Sequence, residues 1–218
     1  MLLLFIILVL VLSIPFVQTG LGNYATKKLN DDFKTNINID RISMQLNGDI
    51  ELKNILIRDY KKDTLIAIDE LNTSILSFRN LAKGDLVFGD IDIMGLYFNI
   101  KTYKGEKDTN LDFFVAKFES DNPSKEKSTF LLSSSDVSIY SGLFSMSNEN
   151  LETLELFKFK DLDINATNFL IYGSNVSARI NTLNFIDSRG IEVTNLMTDF
   201  AYTLTDITFD NLQLTTPA

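Results

Sequence analysis

In KNILIRDYKKDTLIAIDELNTSI, residues 53–75, aliphatic residues stand two apart on either side of a charged turn. That period belongs to a β-strand, whose successive side chains point to opposite faces. It begins at Asn36, where Ile37 and Ile39 alternate with Asn36 and Asn38, and continues with Ile42, Met44 and Leu46 against Ser43 and Gln45. Asp40 and Arg41 shift the phase between the two runs, as a bulge would. Asn47-Gly48-Asp49 predicts a hairpin, and Ile50 and Leu52 open the return strand. Ile55 and Ile57, the turn RDYKKDT and the return through Ile66 and Ile68 follow, then Leu71, Thr73 and Ile75. SFRNLAKGD (77–85) lacks alternation and ends near Gly84, which predicts one helical turn. Leu86, Phe88, Ile91 and Ile93 lead through Gly95 to Phe98 and Ile100, before the turn KTYKGEKDTN. Later, Val137 and Ile139, Leu162 and Ile164, Ile180, Leu183 and Phe185, Ile191 and Val193, and Leu204 to Leu214 repeat the pattern. The chain reads as all-β.

Its start differs. Met1 to Val17 carries no charge, and the first charged side chain is Lys27. Seventeen residues of helix span ~25 Å, and continuation to Leu21 reaches ~31 Å, about one hydrocarbon core. An uncleaved transmembrane anchor over 1–21, with Leu2, Phe5, Leu8, Leu12 and Phe16 in the bilayer, is preferred to a signal peptide, because no basic n-region or cleavage motif is present. In 22–35, Ala25, Leu29 and Phe33 recur every four residues after Leu21, which predicts a short amphipathic helix capping the sheet. Prolines occur only at 15, 123 and 217, so the Pro123 segment divides a first β module (36–118) from a second (129–218) by a linker at 119–128. The final NLQLTTPA interrupts a strand pattern, as the front of something longer would. FGDIDIMGLYF (88–98) and FKDLDINATNF (159–169) share F-x-D-[IL]-D-I-x-x-x-x-F, which suits one β unit used again.

Chemistry narrows the function. The chain has no His and no Cys, which removes the commonest general base, the thiolate nucleophile and every disulfide. A net charge of −9 argues against nucleic acid or an anionic membrane surface as partner. No phosphate loop or nucleophile elbow occurs, so no enzyme, catalytic residue, cofactor or metal is expected. Asp90 with Asp92, and Asp161 with Asp163, share a strand face and could hold a hard cation, but a solvated outer face is the simpler reading. Asp59 and Asp63 around Lys61 and Lys62 read as a charged turn. Asn72, Asn165 and Asn175 begin N-glycosylation triplets, and Asp63-Thr64-Leu65 matches a short O-glycosylation signal, both common by chance. Alternation by itself favours a closed sandwich or barrel over an open sheet.

The order of pieces adds a resemblance. A span leaving the membrane as IPFVQTGLGNYATKKLN is followed by INIDRISMQL, LKNILIRDYKKDTLIAIDELNTSI, LAKGDLVFGDIDIMGLYFNI and TNLDFFVAKF. Over residues 13 to 118 this resembles the amino-terminal region of TamB proteins, of the AsmA-like superfamily, in their Bacteroidetes form. The resemblance implies an elongated, curled, antiparallel-type sheet (a β-taco, as in bridge-like lipid-transfer proteins) behind a single-pass inner-membrane helix, with most of the chain in the periplasm. It implies phospholipid transport between inner and outer membranes along a hydrophobic groove. An outer-membrane partner of the Omp85 family, similar to TamA, would be met by a region outside this sequence. Ile55, Ile57, Ile66, Ile68, Leu86, Phe88, Ile91, Ile93, Phe98 and Ile100 are then expected to line the groove. Lys27 and Lys28, the only basic residues near the span, would by the positive-inside rule hold the following side in the cytoplasm, opposite to the resemblance. A basic tip before Met1 would reconcile the two. The rival functions are an assembly factor or chaperone for outer-membrane β-barrel proteins, whose exposed strand edge pairs with a client strand, and a structural tether.

Overall fold

The computed structural model describes residues 20, 23, 26–27, 30–31, 34–45, 47–77, 79–80, 85–118, 131–153, 155–203 and 205–217. The expected anchor at 1–21, save Gly20, and the linker at 119–128 lie outside them. The described residues between 20 and 31 are helical, as are 79 and 80. No helix among the described residues is long and apolar enough to cross a membrane.

The protein is all-β, and the described residues form twelve strands in one sheet. In chain order these are β1 (Ile37–Met44), β2 (Asp49–Arg58), β3 (Thr64–Ser74), β4 (Asp85–Phe88), β5 (Ile91–Met94), β6 (Tyr97–Thr102), β7 (Leu131–Asn148), β8 (Glu155–Tyr172), β9 (Asn175–Asp187), β10 (Glu192–Val193), β11 (Asn195–Tyr202) and β12 (Ile207–Thr215). A short helix, α1 (Asn110–Val115), precedes a 3-10 turn, Ala116–Phe118. The sheet runs β1-β2-β3-β5-β7-β8-β9-β11-β12, with β4 and β6 collinear with β5, so these three short strands act as one interrupted strand between β3 and β7. The Asn47-Gly48 turn forms as the sequence predicts: Gly48 takes φ +96, and the Gly48 amide donates to Gln45 O.

One expectation is corrected. The sheet is mixed, because β4, β5 and β6 all pair in parallel with β7. The chain leaves β6 at one end of that strand and begins β7 beside β4 at the other, so the connection between the two is a crossover of the kind that a parallel pair requires. The ladder also crosses the 119–128 boundary, so strands from both expected modules share the sheet.

The phase shifts in the sequence have a physical basis. Register carries Arg41 to Lys53, Lys53 to Glu70, Glu70 to Met94 and Met94 to Tyr140, a line across five strands. On that line the apolar alternation skips one residue: Leu52 gives way to Ile55, Ile68 to Leu71, and Ile139 to Gly142. Asn54, Gly95, Ser141 and Asp161 beside it have φ between +50 and +66. A left-handed residue redirects the strand, and the skipped residue keeps apolar side chains on one face past the crease. Gly95 is the least replaceable, because φ is positive and a Cβ there would overlap the Asp69 carboxylate. Gly95→Ala is expected to lower stability by about 1–3 kcal/mol, read as a lower urea midpoint at unchanged slope.

Candidate functional site

The site is a face rather than a pocket. Residues directly opposite in neighbouring strands share a face, and the pairing assembles the apolar residues into rows across the sheet. One row joins Ile42, Leu52, Leu71, Ile93, Ile139, Ile164 and Leu183. A second joins Ile37, Ile57, Ile66, Phe98, Phe144 and Phe159. A third joins Leu86, Leu132, Ile171, Val176, Tyr202 and Ile207. Every member of the first two rows is only half-buried. Ile91, Val137 and Ala166 form a more enclosed row, at 7%, 7% and 4% exposure.

The ten residues expected to line a groove fall into these rows. Ile57, Ile66 and Phe98 are in register, Ile55 pairs with Ile68, Ile93 and Leu86 belong to the first and third rows, and Ile100 pairs with Met146. Phe88 lies beside Ile75 and Ile91 beside Val137. None of the ten is fully exposed. The second half of the chain supplies as much of the face as the first. Its Phe144, Phe159 and Phe185 extend the second row as a run of rings, with centroids 5.7 Å (Phe98–Phe144), 5.5 Å (Phe144–Phe159) and 4.1 Å (Phe159–Phe185) apart. The same alternation could have found them.

The acidic pairs stay on the polar side. Asp90 accepts from Ser135 Oγ at 3.1 Å, and Asp163 from the Ser141 amide at 2.8 Å, holding the crease. Asp90 and Asp92 border a shallow depression with Asp49 and Glu51, in which Asn72 also stands. Asn165 is tied into a side-chain ladder, donating to Asp136 (3.0 Å) and accepting from Asn181 (3.0 Å). Thr64 pairs with Arg58 in the ladder ahead of the fully buried Leu65.

One end of the sheet is stitched by polar contacts that sequence reasoning reduced to a charged turn. Asp59, 4% exposed, accepts from Tyr103 Oη at 2.6 Å, Asn110 Nδ2 at 3.2 Å and the amides of Lys61 and Asp63, each at 2.9 Å. Asn110, with no exposed surface, fills the wedge where β3 and β6 part: it accepts from the Lys101 amide at 2.8 Å and donates to Asn99 O at 3.1 Å. Lys61 pairs with Glu106 (2.6 Å) and Lys101 with Glu149 (3.0 Å), while Tyr60 Oη donates to Glu106. Burial and the adjacent carboxylates raise the Tyr60 and Tyr103 hydroxyls above their ordinary range.

α1 starts here with a capping box, Thr109 and Asp112 each bonding the other's backbone, a signal legible in Thr-Asn-Leu-Asp. The second Asp112 oxygen accepts from Tyr202 Oη of β11 at 3.0 Å. Burial, helped by that carboxylate, pushes the Tyr202 hydroxyl up to about 12 from an ordinary 10.0. The folded state therefore holds this proton more tightly, and the contribution, complete below pH 10, is lost as pH rises through about 12. The stability difference between the protein and Tyr202→Phe is expected to shrink from pH 8 to pH 12, read from urea midpoints.

No protein-family model matches the chain, and a search of curated proteins finds no match.

Proposed function

We propose that this chain is a membrane-anchored lipid conduit, in which the apolar rows line a groove that carries phospholipid acyl chains between inner and outer membranes through the periplasm. The observation that carries the reading is the first row: seven aliphatic side chains from seven strands, in register, uncharged and none of them fully buried. A closed core would bury such a row, and a tether would not need it. Acyl chains gain ~0.8 kcal/mol per methylene on leaving water for such side chains, and many similar weak contacts let a chain slide. The resemblance to TamB proteins supports the same reading, as does the uncharged stretch at Met1 to Val17 as its anchor.

The test places a photo-crosslinking residue at Ile93 and, separately, at Asp92, in cells. The two are adjacent on β5 and face opposite ways, so each controls for the other. Phospholipid adducts at 93 and none at 92 are expected; adducts at neither position, in a protein shown to be folded, would refute the conduit.

A further inference from the structure

The apolar face is bent twice. Beside the crease described above, a second one crosses the strands on one side of it. Ala166 gives way to Phe169 across Asn168, whose φ is +55, and Phe88 gives way to Ile91 across Gly89 and Asp90. There the Gly89 amide donates to Ser74 O, and a Cβ on Gly89 would overlap Ser74 Oγ. Both bends skip one residue and so keep the apolar side chains on one face.

α1 joins the two strand ends that these bends bring together. On one side, Asn110 is bonded to Asn99 O and the Lys101 amide of β6, and Lys101 pairs with Ser147 near the end of β7. Two residues on, Asp112 accepts from Tyr202 Oη at 3.0 Å. Register puts Tyr202 level with Leu132, through Val176 and Ile171, near the other end of β7. In a flat sheet Leu132 and Ser147 would lie ~50 Å apart along the strand. The bends bring these two levels within reach of one helical turn. Tyr202 shares its face with Val176 and Ile171, so the bends close toward the apolar side and α1 stands across the opening between the strand ends.

We infer that α1 is a hinged strap across the mouth of the groove, and that the Asp112–Tyr202 hydrogen bond is its latch. The inference rests on the conduit reading. The two sides hold α1 unequally. Beside β6, the buried Asn110 also donates to Asp59, Phe113 stands on the Tyr60 ring with centroids 4.6 Å apart, and Lys117 Nζ of the following turn donates to Lys34 O at 2.7 Å. At β11 the hold is a side-chain hydrogen bond between partly buried groups. A phospholipid with its acyl chains on the apolar rows keeps its charged headgroup in water, so the headgroup projects through the opening that α1 crosses. It passes when α1 leaves β11 and stays hinged on β6. One charge-assisted hydrogen bond is strong enough to favour the closed strap and weak enough for it to open often.

The test uses the whole chain in cells. The sequence has no Cys, so Asp112→Cys with Tyr202→Cys supplies its two thiols. Loss of the phenol leaves them too far apart for a disulfide, and a bismaleimide of about the phenol's length, with a reducible bond at its centre, joins them. Photo-crosslinking residues at Ile42 of β1 and, separately, at Leu183 of β9 then report phospholipid labelled after the joining step. Before joining, adducts are expected at both positions. Joining should lower those at Leu183 at least about tenfold and leave those at Ile42, and reduction of the linker should restore them. The circular dichroism of the purified chain should not change at any step. Tyr202→Phe, which keeps the ring and removes the latch, should raise adducts at Leu183 about fivefold over the parent protein. Equal adducts at Leu183 before and after joining, with adducts at both positions, would overturn the strap and leave the conduit standing. No adducts at either position before joining would overturn the conduit and the strap with it. A fall at Ile42 with Leu183 unchanged would support the strap, with lipid entering from the other end.

Discussion

Replacing Ile93 and Ile139 together with Asp is expected to leave the sheet folded while phospholipid adducts at Ile164, the next position in the row, fall about a hundredfold. Both side chains are only partly buried and directly opposite each other in the parallel pair β5–β7. A carboxylate at such a position keeps its water, so each substitution costs ~1–2 kcal/mol rather than the several of a buried charge. An acyl chain crossing the pair loses contact for about four methylenes, ~3 kcal/mol, before any cost of drying the carboxylates, and ~3 kcal/mol is about a hundredfold in occupancy. If the row were instead a closed core, two buried charges would unfold the protein. Circular dichroism of the double variant beside the adduct yield separates the cases: a folded variant with undiminished adducts would argue against a continuous lining, and an unfolded one against an open face.

The alternation in the sequence made the class and most strands legible, because a period of two reports one wetted and one dry face. The Asn47-Gly48 hairpin was legible for a stricter reason, since its left-handed backbone restricts the residues that fit. The parallel pairing of β4, β5 and β6 with β7 was not legible. Strand direction depends on which end of β7 the chain enters, and a parallel strand and an antiparallel strand show the same alternation. The phase shifts after Ile39, Leu52 and Ile68 look like isolated bulges in one dimension. Only register shows that they meet on one line and leave the apolar rows on one face.

The lining was legible in kind and incomplete in membership. Ile57, Ile66 and Phe98 fall in one row as their alternation implied, but that row passes on to Phe144 and Phe159, more than forty residues further along the chain. Cross-strand neighbours are set by topology and leave no mark on local pattern. Asn30 shows the same limit for a single side chain. Nothing in Asn-Asp-Asp predicts that its amide reaches back over Ile37 to close an edge.

Asp59→Ala is expected to be the most damaging single polar substitution, lowering stability by ~3–5 kcal/mol. Four donors converge on this carboxylate: two backbone amides of its own turn, the Tyr103 hydroxyl and the Asn110 amide. Asp59 is 4% exposed and Asn110 has no exposed surface, so water cannot replace the lost acceptor without opening the wedge between β3 and β6. Each orphaned buried donor costs ~1–3 kcal/mol, and partial relaxation of the turn brings the total below their sum. Asp59→Asn keeps the shape and one acceptor oxygen but places an NH2 against the other donors, so it should cost about half as much. Urea titrations of the two variants, followed by circular dichroism, give the comparison. Equal midpoints for Asp59→Ala and the parent protein would mean that Tyr103 and Asn110 find other acceptors, and that the stitched end holds the sheet through Leu65 and its ion pairs. The proposed conduit needs that end held firmly, because the crossover leaves β6 there and α1, fastened to β11 by Tyr202, begins there.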